Sequence, residues 1–265
     1  MIFPGVAVYP MTDYYFDTSA FSDLWRSNST LDQSYKERVL SHLQDHSNSI
    51  VLSSTFLDEL VPPLQAAGRV DQLRERLAFL EKCSLKAYSY SESLIRVPLS
   101  RVDIMEAFHS ALYRPEIYRT QGSRLSISRS HSLVSQNDLI RRYQEIPSRH
   151  IPELIDTLFN EEHRVRCATN LLERFHLTSQ VDPRTIRFLW VYSGASIAYQ
   201  SLHIQGFVNG ERPDINDTTD LLHVTSASEA ELFITSDADQ FRLAEACLPP
   251  ETKVELFRTW VERIV

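Results

Sequence analysis

An α/β fold with a mainly parallel sheet is predicted by three features of this 265-residue chain. Short apolar runs bounded by polar turns read as buried strands, above all Tyr14-Tyr15-Phe16, Ser49 to Ser54, and Leu232-Phe233-Ile234. Segments with helical apolar spacing fall between them. The resulting order is strand, helix, strand, helix, a long helical insertion, helix, strand, which is the alternation that a parallel sheet requires. In such sheets chemistry gathers beyond the carboxyl ends of the strands.

Taken in order, the first aromatic run ends in Asp17, Thr18 and Ser19, a strand meeting a turn. A helix is predicted near Ser34 to Asp45, with Val39, Leu40 and Leu43 on one face. The second strand, SIVLSS, leads into TFLDELV, where Thr55 is placed to cap a short helix carrying Leu57, Glu59 and Leu60. Pro62 and Pro63 end or restart it, and Val70, Leu73, Leu77 and Leu80 continue at helical spacing. Residues 91–183 have a different texture. Helices are predicted after Ser100 and from Gln136 to Glu145, separated by GSRLSISRSHSLVSQ, a Ser- and Arg-rich loop with little to bury. One long amphipathic helix runs from Ile151 to Phe175. Thr185 to Gln200 is apolar nearly all round and suits a core helix. TDLLHVTSASEA reads as a helix, ELFITSD as a strand and turn, and KVELFRTWVERIV as a short strand or helix at the edge. The domain reading is therefore a first part over 12–90, a helical insertion over 91–183 and a second part over 184–265.

Composition narrows the function. Hydrophobic content of 43% with 23% charged residues is ordinary for a soluble protein, and no run approaches the roughly 18 apolar residues of a membrane span. The first residues, MIFPGVAVYPMTDYYF, carry no positive charge ahead of an apolar stretch, so no secretory signal is expected. The three cysteines, Cys83, Cys167 and Cys247, lack metal-type spacing and read as buried free thiols, with a cytoplasmic location expected. Only six glycines are present, and none forms a nucleotide-cradling motif. The net charge of -8 opposes simple attraction to nucleic acid, but it is uneven. From Ile95 to Trp190 there are 14 arginines and no lysine against 11 acids, while the remainder holds 13 basic residues against 24 acidic. Arginine's planar fork matches phosphate oxygens.

Two predicted strands end in an aspartate, Asp17 and Asp237. If those strands are parallel neighbours, the carboxylates converge, and each raises the other's pKa unless a cation neutralises them. An all-oxygen ligand set favours Mg2+ or Mn2+ over zinc. Glu59 and Asp220 can join from helix starts just beyond the strand edge. Asp217 lies three residues before Asp220, on the same helix face; it is either a metal ligand or a helix-start acid favoured by the macrodipole. Asp239 is a reserve candidate, and Glu229 and Glu231 read as surface residues. His223 falls near the site, but a lone helical histidine is expected to be packed or hydrogen-bonded rather than catalytic. His109, His131, His150, His163 and His176 show no ligand spacing.

FDTSAF at Phe16 to Phe21, Glu59 after SIVLSSTFLDEL, and NDTTDLLHV followed by ELFITSD resemble the PIN-domain nucleases. That family's pattern is an early D-x-[SN] at a strand end, a glutamate early in the second helix, an aspartate in a further helix, and a late T-x-D. The resemblance covers residues 12–82 and 185–265. It implies a three-layer α/β/α fold, with Asp17, Glu59, Asp220 and Asp237 as catalytic metal-holding acids and Ser19, Asp217 and Thr235 in support. A haloacid-dehalogenase-like phosphatase would need a second aspartate where Ser19 stands, and a von Willebrand-type metal site a second serine where Phe21 stands.

The resemblance implies Mg2+- or Mn2+-dependent hydrolysis of phosphodiester bonds, with single-stranded RNA preferred, as in a toxin or defence component with an inhibitory protein partner or a homodimeric state. Arg124, Arg129, Arg141 and Arg142 of the insertion are the expected substrate contacts. A DNA nuclease of the same fold and a catalytically silent PIN-like module that binds nucleic acid or protein stand as alternatives.

Overall fold

The computed structural model describes residues 12–25, 33–45, 47–53, 55–57, 59–60, 67–90, 96–100, 161–174, 183–192, 194, 216–249 and 251–264. Their strands form one six-stranded sheet. In chain order these are β1 (Thr12–Phe16), β2 (Asn48–Ser53), β3 (Leu85–Tyr90), β4 (Arg96–Leu99), β5 (Leu232–Thr235) and β6 (Lys253–Leu256). The spatial order is β4-β3-β2-β1-β5-β6. All neighbours are parallel except β3 and β4, which pair antiparallel. The mainly parallel α/β architecture expected from the sequence is present.

The helices are α1 (Thr18–Asp23), α2 (Gln33–Gln44), α3 (Val70–Leu80), α4 (Glu161–Arg174), α5 (residues 183–192), α6 (Asn216–Ala227), α7 (Ala238–Cys247) and α8 (Phe257–Ile264). Residues 55–57 and 59–60 are also helical. No described helix is long and apolar enough to cross a membrane. Gly68 takes a φ of 68°, the left-handed turn that glycine adopts without steric cost, just before α3.

Alternation along the strands builds a core on each face of the sheet. Tyr14, Phe16, Ile50, Leu52, Leu232 and Ile234 point to one side, where they meet Phe21, Val39, Leu43, Leu73, Leu80 and Trp260 from α1, α2, α3 and α8. Tyr15, Val51 and Phe233 point to the other, against Val191, Leu221, Val224, Ala244 and Cys247 from α5, α6 and α7. Burial on both faces explains why β1, β2 and β5 read as continuous apolar runs. Cys83 and Cys247 are buried and are not joined in a disulfide.

Several elements depart from the sequence reading. β3 and β4 were not foreseen, and β4 falls within the 91–183 segment read as a helical insertion, so the sheet extends at least to Leu99. Pro98 is tolerated there because β4 is an edge strand. α1 begins at Thr18 and Ser19, where a turn was expected, and α7 occupies residues for which no element was expected. The C-terminal segment is both a strand and a helix, β6 then α8. Of the long helix expected from Ile151 to Phe175, Glu161–Arg174 is described. The helices expected after Ser100 and at Gln136 to Glu145 lie outside the described residues, as does the Ser- and Arg-rich loop.

Candidate metal centre

The sheet order reverses direction at β1: the chain moves outward from β1 to β2 and β3, then returns to the other side of β1 with β5 and β6. Loops leaving β1 and β5 therefore diverge, opening the crevice where α/β sheets hold ligands. Register fixes what meets there. Phe16 lies opposite Ile234, and Asp17 N–H donates to the Ile234 carbonyl at 3.1 Å, so Asp17 and Thr235 emerge side by side.

Asp17 is only 3% exposed. Its Oδ1 accepts from Ala20 N–H at 2.6 Å, which makes it the N-cap of α1, and Oδ2 accepts from Ser19 Oγ and Thr235 Oγ1, each at 2.7 Å. Burial raises its pKa above the ordinary carboxylate value, while the Thr235 hydrogen bond opposes the rise most strongly. Thr235 Oγ1 in turn accepts from Asp237 N–H at 3.0 Å. Gln240 lies with Oε1 2.9 Å from this hydroxyl while its Nε2 is buried without a partner. Threonine has one proton to give, and Asp17 takes it. Turning the Gln240 amide over lets Nε2 donate to Thr235 and satisfies both groups.

Asp237 is the N-cap of α7, its Oδ1 accepting from Asp239 N–H at 2.7 Å and Gln240 N–H at 3.0 Å. Capping thus gives both strand-end aspartates a structural use that the sequence reading overlooked. Asp239 lies on the exposed side of α7 with Arg242 3.0 Å away, and Glu231 is exposed.

Glu59 is tied in from the segment after β2. Its Oε2 accepts from Thr18 Oγ1 of α1 and from His223 Nε2, the latter at 2.7 Å. Asp220 lies one turn before His223 on α6. Burial, followed by the charges of Asp237, Glu59 and Asp17, pushes its carboxyl up to about 7, although His223 pulls the other way. Asp17, Glu59, Asp220 and Asp237 are therefore brought into one electrostatic neighbourhood, with Ser19 and Thr235 in direct contact with Asp17. Among the described residues, no group of three or more His, Cys, Asp or Glu side chains is gathered closely enough to hold a metal ion. Asp217 falls in the first turn of α6, with its side chain outside the described set. Arg124, Arg129, Arg141 and Arg142 also lie outside the described residues.

Polar neighbours that fix these acids and carry no local signal in the sequence are Thr18, Gln240, Tyr15 and Ser53, whereas the expectation of a packed residue near the site holds for His223. Its spacing from Asp220 hinted at that place, but its partners come from remote strands. A cavity of about 670 Å³ lies at the opposite edge, by the amino ends of β1, β5 and β6. Its mixed lining, including Asp13, Glu231, Arg184, Arg187 and Lys253, gives no single-sign attraction for a nucleic-acid strand. Comparison with models of protein families, with curated proteins and with solved structures finds no match for this chain.

Proposed function

We propose that this protein is a Mg2+- or Mn2+-dependent endonuclease of PIN-like type that hydrolyses phosphodiester bonds, with single-stranded RNA the preferred substrate. The observation that carries the reading is the convergence of four acids at the strand ends, where the Asp220 carboxyl is pushed up to about 7 first by burial and then by the charges of Asp237, Glu59 and Asp17. Unneutralised acids held together destabilise a fold, and a divalent cation relieves that repulsion.

The donor set suits such an ion, because carboxylate and hydroxyl oxygens are ligands for hard cations. Mg2+ keeps several waters and needs only one or two direct carboxylates, so the absence of a tight three-ligand group among the described residues is compatible with it. Asp17 and Asp237 would hold the principal ion. Asp220 and Glu59 would bind directly, through water or at a second ion. A bound ion supplies a hydroxide-like nucleophile and neutralises charge on the phosphate. Ser19 and Thr235 fix the Asp17 carboxylate by direct hydrogen bonds. The arginine-rich segment containing Arg124, Arg129, Arg141 and Arg142 would supply phosphate contacts that the acidic edge lacks.

The test is cleavage of labelled single-stranded RNA, single-stranded DNA and duplex with Mn2+, beside the Asp17→Asn, Asp237→Asn double variant. Cutting of RNA that the double variant loses is the expected result; cutting of DNA alone moves the protein to the neighbouring DNA nucleases. A catalytically silent PIN-like binding module is the second reading, favoured by the capping roles of Asp17 and Asp237. Inertness toward all three substrates with tight metal-independent binding establishes that alternative.

A further inference from the structure

We propose that His223 is a positioning residue for Glu59, set by a one-directional hydrogen-bond chain that starts at the Phe56 amide and passes through Ser53 and Tyr15. The inference rests on the nuclease reading for its consequence but on geometry for its existence. His223 is 1% exposed, Tyr15 0% and Ser53 4%, whereas the Glu59 side chain is 27% exposed, so the chain leads from the core out to the acid.

The direction of each bond follows from the donors available. An ionised carboxylate only accepts, so the 2.7 Å contact between His223 Nε2 and Glu59 Oε2 places a proton on Nε2. With the imidazole neutral, Nδ1 carries no proton and accepts from the Tyr15 hydroxyl at 2.8 Å. With that proton committed, the Tyr15 oxygen accepts from Ser53 Oγ at 2.7 Å, and Ser53 accepts from Phe56 N–H at 3.2 Å. No donor is used twice.

Four parts of the fold are joined by this chain: β1 through Tyr15, β2 through Ser53, α6 through His223, and the helical segment bearing Glu59. Thr18, which donates to the same Glu59 oxygen, stands next to Asp17. The orientation of Glu59 is thus locked to the strand end that carries Asp17. Hydrogen-bonded partners of this kind hold ligating carboxylates in place, and their loss typically costs about 10- to 100-fold in metal affinity or activity.

Two measurements on the full chain test the inference. Side-chain 15N NMR of the metal-free protein is expected to show His223 protonated at Nε2 and bare at Nδ1, a preference weakened in Tyr15→Phe, which leaves Glu59 alone to set the tautomer. A proton resting on Nδ1 overturns the chain. Mn2+ titration is expected to show affinity falling about 10-fold or more in His223→Leu, with partial recovery in His223→Gln, whose amide N–H can still donate to Glu59. A folded His223→Leu with wild-type Mn2+ affinity sinks the positioning role. Failure of the wild-type protein itself to bind Mn2+ or cut nucleic acid refutes the nuclease reading instead, so the two failures are distinct. Tyr15→Phe removes one hydroxyl and keeps the ring, so the NMR test stands if His223→Leu does not fold.

Discussion

Thr235 Oγ1 lies 2.7 Å from Asp17 Oδ2, joining the ends of two neighbouring parallel strands whose residues are separated by 218 positions in sequence. The bond is buried, and it is the strongest of the influences that oppose protonation of Asp17. Thr235→Val keeps the shape of the side chain and removes the donor, leaving a buried carboxylate short of one partner. The expected cost is about 1–3 kcal/mol of stability, measured by urea denaturation. Val also leaves the Asp237 amide without its acceptor. Full wild-type stability in Thr235→Val would mean that Ser19 and the Ala20 amide alone satisfy Asp17.

The raised carboxyls of Asp220 and Asp17 give stability a definite pH dependence. Each folded-state pKa lies above its ordinary value, so the folded state holds these protons more tightly than the unfolded chain. Their contribution is fully present below about pH 4, the usual value for a free aspartate. For Asp220 it is lost as pH rises through about 7. In chelator, the melting temperature of the wild-type protein is therefore expected to fall between pH 5 and pH 8 relative to Asp220→Asn. Addition of Mg2+ at pH 8 is expected to recover the loss in the wild type and to do less for the variant. A wild-type protein whose pH slope matches that of Asp220→Asn excludes Asp220 as the strained acid.

Much of this arrangement was legible because burial on both faces writes strands as apolar runs. Tyr14 to Phe16, Ile50 to Leu52 and Leu232 to Ile234 could be placed for that reason, and an acid behind two such runs marked the sheet edge. β3 was hidden because its Lys86 is polar yet reaches both carboxylate oxygens of Asp13, at 2.7 and 2.6 Å, a pairing that no local pattern reveals. α1 and α7 were hidden because Asp17 and Asp237 were read only as ligands, when each also caps the helix that follows it. The His223 to Tyr15 contact spans 208 positions and depends on α6 packing across β1, so it becomes visible only in three dimensions.

Trp260 anchors α8 and is fully buried, with its ring 5.3 Å from Phe16, 5.8 Å from Tyr14 and 6.0 Å from Phe257, centroid to centroid. Trp260→Ala is expected to cost about 3–5 kcal/mol, because the aromatic cluster beneath the sheet cannot close over the gap. Trp260 Nε1 is buried without a hydrogen-bond partner. Replacement by Phe therefore forfeits packing volume but no polar contact, and it is expected to retain most of the stability. Equal losses for the two variants, measured by chemical denaturation, would contradict an apolar role for this ring.

Asp237 offers the cleanest separation of fold from function, because its capping bonds use an oxygen that asparagine also possesses. Asp237 Oδ1 accepts from Asp239 N–H and Gln240 N–H, and asparagine ranks with aspartate at N-caps. Asp237→Ala removes the acceptor and is expected to cost about 1 kcal/mol. Asp237→Asn keeps the acceptor and gives up only the charge, so its stability in chelator should remain close to wild type. Loss of the charge also removes one source of repulsion on Asp220, whose carboxyl should then titrate lower. If Asp237 holds the ion, Asp237→Asn lowers Mn2+ affinity as much as Asp237→Ala does while unfolding later in urea. Equal Mn2+ affinity in Asp237→Asn and wild type, with only the alanine variant impaired, would leave Asp237 as a helix cap and remove it from the metal centre.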